Sequence, residues 1–108
     1  MAMTEVDLND NALPVVTRFQ LDTTVANKAH QINLIDAETA TKVSIRFESN
    51  DGKIAFTTAA DTIHANHIVI SKDSTVELSI APTSRGNRIS KFYVASATTG
   101  AYSSVILE

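Results

Sequence analysis

Residues 42–58 read KVSIRFESNDGKIAFTT. Val43, Ile45 and Phe47 point one way, and Lys42, Ser44, Arg46 and Glu48 point the other. Side chains on a strand alternate between faces, so this pattern is a half-buried strand. Ser49-Asn50-Asp51-Gly52 then carries turn chemistry. Asn and Asp bond their own backbone, and Gly takes positive φ without steric cost. Ile54 and Phe56 resume the apolar series, which predicts a β-hairpin.

The same period runs outward from this unit. Val15, Thr17, Phe19 and Leu21 alternate with Val16, Arg18 and Gln20. His30, Ile32 and Leu34 alternate with Gln31 and Asn33. Ile68 and Ile70 lie in HIVIS, and Val76, Leu78 and Ile80 follow. Between those two runs, Ser71-Lys72-Asp73-Ser74 reads as a second hairpin turn. Phe92 and Val94 alternate with Lys91 and Tyr93, and Tyr102, Ser104 and Ile106 oppose Val105 and Leu107. About eight short strands at this spacing predict an all-β fold, an antiparallel β-sandwich of jelly-roll or immunoglobulin-like type. The one helical candidate, Ile35–Thr41, is short and has no apolar stripe. Residues 1–14 read as an extended N-terminal arm, with Pro14 holding Leu13 extended, and residues 15–108 as a single domain. Residues 57–66 read as a polar loop or an irregular edge, and residues 81–90 as a loop.

The chain has 108 residues, enough for one domain with its own core. It has no cysteine, so thiolate chemistry and disulfides are excluded. Nine basic residues against twelve acidic ones give a net charge of −3, and the basic residues are scattered. A nucleic-acid footprint is therefore not expected. The first residues, MAMTEVDLNDN, lack the basic and apolar regions of a signal peptide. No apolar run reaches the roughly 20 residues that span a bilayer. A soluble protein is expected.

No constellation points to catalysis. His64-Ala-Asn-His67 is the one suggestive histidine spacing, and metal binding would require both rings, with His30, to converge. On a strand that spacing splits the rings between faces, so loop histidines are the simpler reading. Asp36, Glu38, Asp51 and Asp61 sit in turns or at strand ends, and Asp7, Asp10 and Asp22 read as turn formers. With three glycines, a phosphate cradle is not expected. No catalytic residue, metal ligand or cofactor is assigned. Ser84-Arg85-Gly86-Asn87-Arg88 reads as an exposed turn whose two guanidiniums could grip an anion or a partner. Tyr93 and Tyr102 fall on the face opposite Phe92 and Val105, where rings could stack on a sugar or pack a subunit.

VVTRFQL, HIVIS and YSSVILE carry apolar or small side chains on both faces. A sandwich has one interior, so the second face calls for another cover, such as a neighbouring subunit. The arm could add a strand to a neighbour. Leu13, Pro14, Arg85, Arg88, Tyr93 and Tyr102 are the candidate interface residues. The units IRFESNDGKIAF, DSTVELSIAP and FYVASATTGAYSSVILE, from about Val43 to Leu107, resemble small β-sandwich proteins of tailed-bacteriophage virions. Tail-spike base, head-fibre and capsid-decoration modules share the Ser/Thr/Ala-rich, cysteine-free composition. The resemblance implies a non-enzymatic virion subunit made in the host cytoplasm. It also implies symmetric homo-oligomers, often trimers, that dock on other virion proteins and have no membrane partner. The alternative is a carbohydrate-binding or adhesin-type sandwich module using Tyr93 or Tyr102.

Overall fold

The computed structural model describes residues 4–8, 15–34, 40–59, 62–63, 66–80 and 90–108. These residues form strands and connections and no helix. The strands are β1 (Thr4–Leu8), β2 (Val15–Gln20), β3 (His30–Leu34), β4 (Lys42–Glu48), β5 (Gly52–Ala55), β6 (Thr58–Ala59), β7 (Thr62–Ile63), β8 (Ile68–Ile70), β9 (Thr75–Ser79), β10 (Lys91–Ala95) and β11 (Tyr102–Leu107). One sheet has the order β1-β3-β10-β5-β8, the other β2-β11-β4-β9, and β6-β7 is a small separate ribbon.

Four antiparallel pairs nest within one another along the chain: β5 with β8, β4 with β9, β3 with β10, and β2 with β11. This is one long hairpin, closed at β5–β8. It is rolled up so that β11 also meets β4 and β10 also meets β5. Eight strands rolled this way into two sheets make a jelly roll, which is the first of the two predicted sandwich types. To that roll β1 adds an edge strand, parallel to β3, with Val6 opposite Ile32 and Leu8 opposite Leu34. Part of the stretch expected as an arm is thus a strand of the domain's own sheet.

The two predicted hairpins are not hairpins. β4 lies in the four-stranded sheet and β5 in the five-stranded one, so Ser49-Asn50-Asp51 carries the chain across the core. The turn at 71–74 does the same between β8 and β9. The two arches stack on each other: the Asp73 N–H donates to the Phe47 carbonyl at 2.9 Å, and the Lys72 N–H to the Asp51 carboxylate at 2.9 Å. Nor does Gly52 supply the positive φ. Ser49 does, at 63°. Gly52 is required for a different reason, because a Cβ there would collide with the Phe47 ring. At an arch the inward residues of both sheets meet at the corner, so a large residue at the end of one strand needs a small one at the start of the next.

The core lies between the sheets, as the alternation predicts. Leu8, Ile32, Ile54, Ile70, Phe92 and Val94 come from the five-stranded sheet. Val43, Ile45, Phe47, Val105 and Leu107 come from the other. At ~1.5–3 kcal/mol per buried large aliphatic or aromatic side chain, this cluster is the main stabilising term. A second, smaller cluster of Ala29, Ala55, Ile63, Tyr93 and Ala95 sits on the outer face of the five-stranded sheet. Within residues 57–66, expected as a polar loop or an irregular edge, β6 and β7 pair as the ribbon that lays Ile63 over it. The expected helical stretch falls mostly on residues 35–39, outside the described residues.

Candidate interaction surface

Alternation sends every second residue of β2, β11, β4 and β9 to the outer face of the four-stranded sheet. The registers arrange them in rows. Val16, Ile106, Ser44 and Glu77 make one row; Arg18, Ser104, Arg46 and Thr75 the next; Gln20, Tyr102 and Glu48 the third. Most charges on this face are paired. Arg18 Nε lies 2.7 Å from Glu48 Oε2, and its guanidinium stacks 4.0 Å from the centre of the Tyr102 ring. Arg46 meets Asp73 at 3.3 Å, and Lys42 lies between Glu77 at 3.6 Å and Glu108 at 3.8 Å. Exposed pairs of this kind contribute little to stability, about 0–1 kcal/mol each. They do make the face neutral and hydrated.

The outer face of the five-stranded sheet is divided. Near β1 it carries a polar ladder. The Asn33 side-chain amide donates to Asp7 at 2.9 Å and to Glu5 at 3.2 Å, and the Gln31 amide donates to Asn33 at 2.7 Å. Its middle is covered by Ile63. At the far edge, β8 pairs with β5 alone among the described residues. Ile68 is 52% exposed and Val69 62%. Phe56, directly after β5, is also exposed at the same end of the β5–β8 pair. This edge combines a backbone side left unpaired among the described residues with apolar side chains and no charge between His67 and Ser71. Such an edge is a template for strand addition or packing by another chain.

The structure separates the predicted candidates. Tyr102 is exposed, at 36%, with one ring face taken by Arg18. Tyr93 is 8% exposed, because the ribbon carrying Ile63 closes over it; it is a core residue of the outer cluster, not a free surface ring. Leu13, Pro14, Arg85 and Arg88 lie outside the described residues, as do His64, Asp36, Glu38 and Asp61. His67 is half-buried at the start of β8, while His30 is buried in the core. Among the described residues no three His, Asp or Glu side chains come together around a common point that could hold a metal. The Asp51 carboxylate serves the neighbouring arch, and Asp22 organises its own turn by accepting from the Thr24 and Val25 N–H groups, each at 2.7 Å.

The exposed edge was partly legible in HIVIS, where apolar residues occupy both faces. Arg18 was not singled out, because its partner Glu48 is distant in sequence and meets it only across β11. Compared with protein-family models, curated proteins and solved structures, the chain matches none significantly.

Proposed function

We propose that the protein is a non-enzymatic structural subunit of a larger assembly, acting through contacts between subunits. The observation that carries this reading is the open β8 edge, with Ile68 and Val69 more than half exposed next to Phe56. The outer face of the other sheet is charge-paired: it exposes Val16 at one side, but its remaining rows are dominated by Arg18, Glu48, Arg46, Lys42 and Glu77 in ion pairs. Covering the β8 edge with a second copy would remove apolar surface from water and pair the side of the strand that meets no other described strand. The setting that best joins this chemistry to the resemblance is a bacteriophage virion: capsid decoration, head fibre or tail/spike base. Jelly rolls serve as viral capsid domains and also as lectins, so the fold itself is neutral between those roles.

Tyr102 supports the second reading, a carbohydrate-binding or adhesin module, since it is an exposed ring among polar neighbours. With Tyr93 enclosed and one face of Tyr102 stacked on Arg18, that platform is reduced to a single ring face. Sedimentation velocity over a concentration series tests the primary reading, which expects a mass above that of the monomer. Glycan-array binding lost on Tyr102→Ala, by a protein that stays monomeric throughout the series, would replace it with the second.

A further inference from the structure

His30 stands first in β3 and faces inward, 2% exposed, with its ring stacked 6.5 Å from that of Phe19. A polar ring placed there must find its partners inside the protein. One nitrogen does: Nε2 accepts the backbone N–H of Asp22 at 3.0 Å. A ring nitrogen that accepts carries no proton, so the neutral ring holds its proton on Nδ1. Among the described residues Nδ1 has no hydrogen-bond partner. The ring is therefore anchored, among the described residues, by one hydrogen bond, and only the neutral form can make it.

That bond falls on the residue that organises the β2–β3 corner. The Asp22 carbonyl accepts the Gly100 N–H at 2.8 Å. Its Oδ1 accepts from the Thr24 and Val25 backbones and from the Thr24 hydroxyl at 2.9 Å. Its Oδ2 lies 3.3 Å from Nζ of the buried Lys28. Further along, the Asn27 N–H donates to the Ser96 carbonyl at 2.8 Å. The corner also belongs to a larger end of the sandwich. The Ser96 hydroxyl donates to the Asp51 carbonyl at 2.8 Å, and Asp51 holds the 71–74 arch. Loops 21–29, 49–51, 71–74 and 96–101 are thus tied together.

The charges acting on His30 are few. The Asp22 carboxylate favours the imidazolium and the Lys28 ammonium opposes it, both from the 21–29 loop. The neighbours on the strands carry no charge: Phe19 from β2, Val94, opposite in register on β10, and Thr4, opposite in register on β1. Burial is the largest influence, and it holds the ring's pKa below the ordinary value. When the ring does take a proton, Nε2 becomes a donor facing the Asp22 donor, and the hydrogen bond is lost.

We propose that His30 is an acid-operated latch on the β2–β3 corner: neutral, it fastens the Asp22 amide and with it residues 21–28 to the sandwich; protonated, it releases them. The four-loop end then changes its order with pH, while the core strands and the β8 edge do not. The latch is independent of the assembly proposed above.

Hydrogen exchange of the backbone amides of the whole chain, at about pH 7.5 and about pH 5 and corrected for intrinsic exchange, tests this directly. Loss of one hydrogen bond lowers protection of the amides at 22–27 about fivefold to tenfold. Protection in β4 and β11 stays level. His30→Gln supplies an acceptor oxygen at every pH and removes the drop. Unchanged protection in the wild type would overturn the latch, as would a drop shared by β4 and β11. So would a drop that persists in His30→Gln, which retains His64 and His67. If His30→Gln does not fold, NMR titration of the wild type decides. A common midpoint for the His30 ring and the Asp22 amide supports the latch, and separate midpoints refute it.

Discussion

Replacing Gly52 with Ala is the sharpest test of the arch between the sheets. At most positions where φ is negative, Gly→Ala stabilises a protein by about 0.4–1 kcal/mol, because the unfolded chain loses freedom. Gly52 is not among the positive-φ residues, so that gain should be available here. The new methyl, however, would occupy the space of three carbons of the Phe47 ring. Phe47 is fully buried between the sheets as a member of the core cluster, so any shift of its ring disturbs other core side chains. Overpacking a tight core costs ~1–3 kcal/mol, and this contact is a severe one. The net expectation is a loss of roughly 2 kcal/mol, or a fall in Tm of ~8–16 °C at ~4–8 °C per kcal/mol. Thermal and urea denaturation read it. Phe47→Leu should relieve the clash, so the double variant should be more stable than the sum of the single effects by at least ~1 kcal/mol. A neutral or stabilising Gly52→Ala, or strict additivity with Phe47→Leu, would refute the packing argument and with it the placement of the arch.

The remaining predictions concern the corner and the paired face. Gly100 has φ +72°, so Gly100→Ala should cost about 1–2 kcal/mol through backbone strain, read by denaturation, although the space around it is less crowded. His30 has a folded pKa below its ordinary 6.5, so its contribution to stability is complete above that value and declines as pH falls through it. Denaturation midpoints at about pH 7.5 and about pH 5 should show a decline that His30→Gln reduces. The Asp22 carboxyl is held well below the usual carboxylate range, chiefly by the Thr24 and Val25 N–H groups, so its contribution persists until pH drops below about 3.8. Arg18→Ala should cost only ~0.5–1.5 kcal/mol in denaturation, with the Glu48 ion-pair share fading at high salt and the Tyr102 stacking share remaining.

The alternation of apolar residues placed nearly every inward side chain: Val43, Ile45 and Phe47, then Phe92 and Val94, then Val105 and Leu107 all face the core. Turn chemistry also marked where the chain reverses. Neither signal says which sheet the next strand joins. A hairpin and an arch share the same period and the same kinds of turn residue, Asn50-Asp51-Gly52 in one reversal and Lys72-Asp73-Ser74 in the other, so local sequence does not separate them. Only the pairing of large Phe47 with small Gly52 hints at a corner. The burial of Tyr93 was hidden for a related reason: its cover comes from Ile63, in a stretch whose polar composition disguised a short ribbon. The β8 edge was visible as an apolar run on both faces, and its exposure depends on β8 being last in its sheet, which no local pattern records. His30 follows the strand alternation faithfully, yet its hydrogen bond to Asp22 is a product of the corner.

On the proposed reading, the β8 edge joins subunits. The most direct measurement is the solution mass of the whole chain by light scattering, compared with Val69→Lys, which puts a charge on the exposed edge without touching the core. The wild type should be an oligomer, and Val69→Lys a monomer with an undiminished core. A wild type that is monomeric up to its solubility limit, or an oligomer indifferent to Val69→Lys, would contradict it.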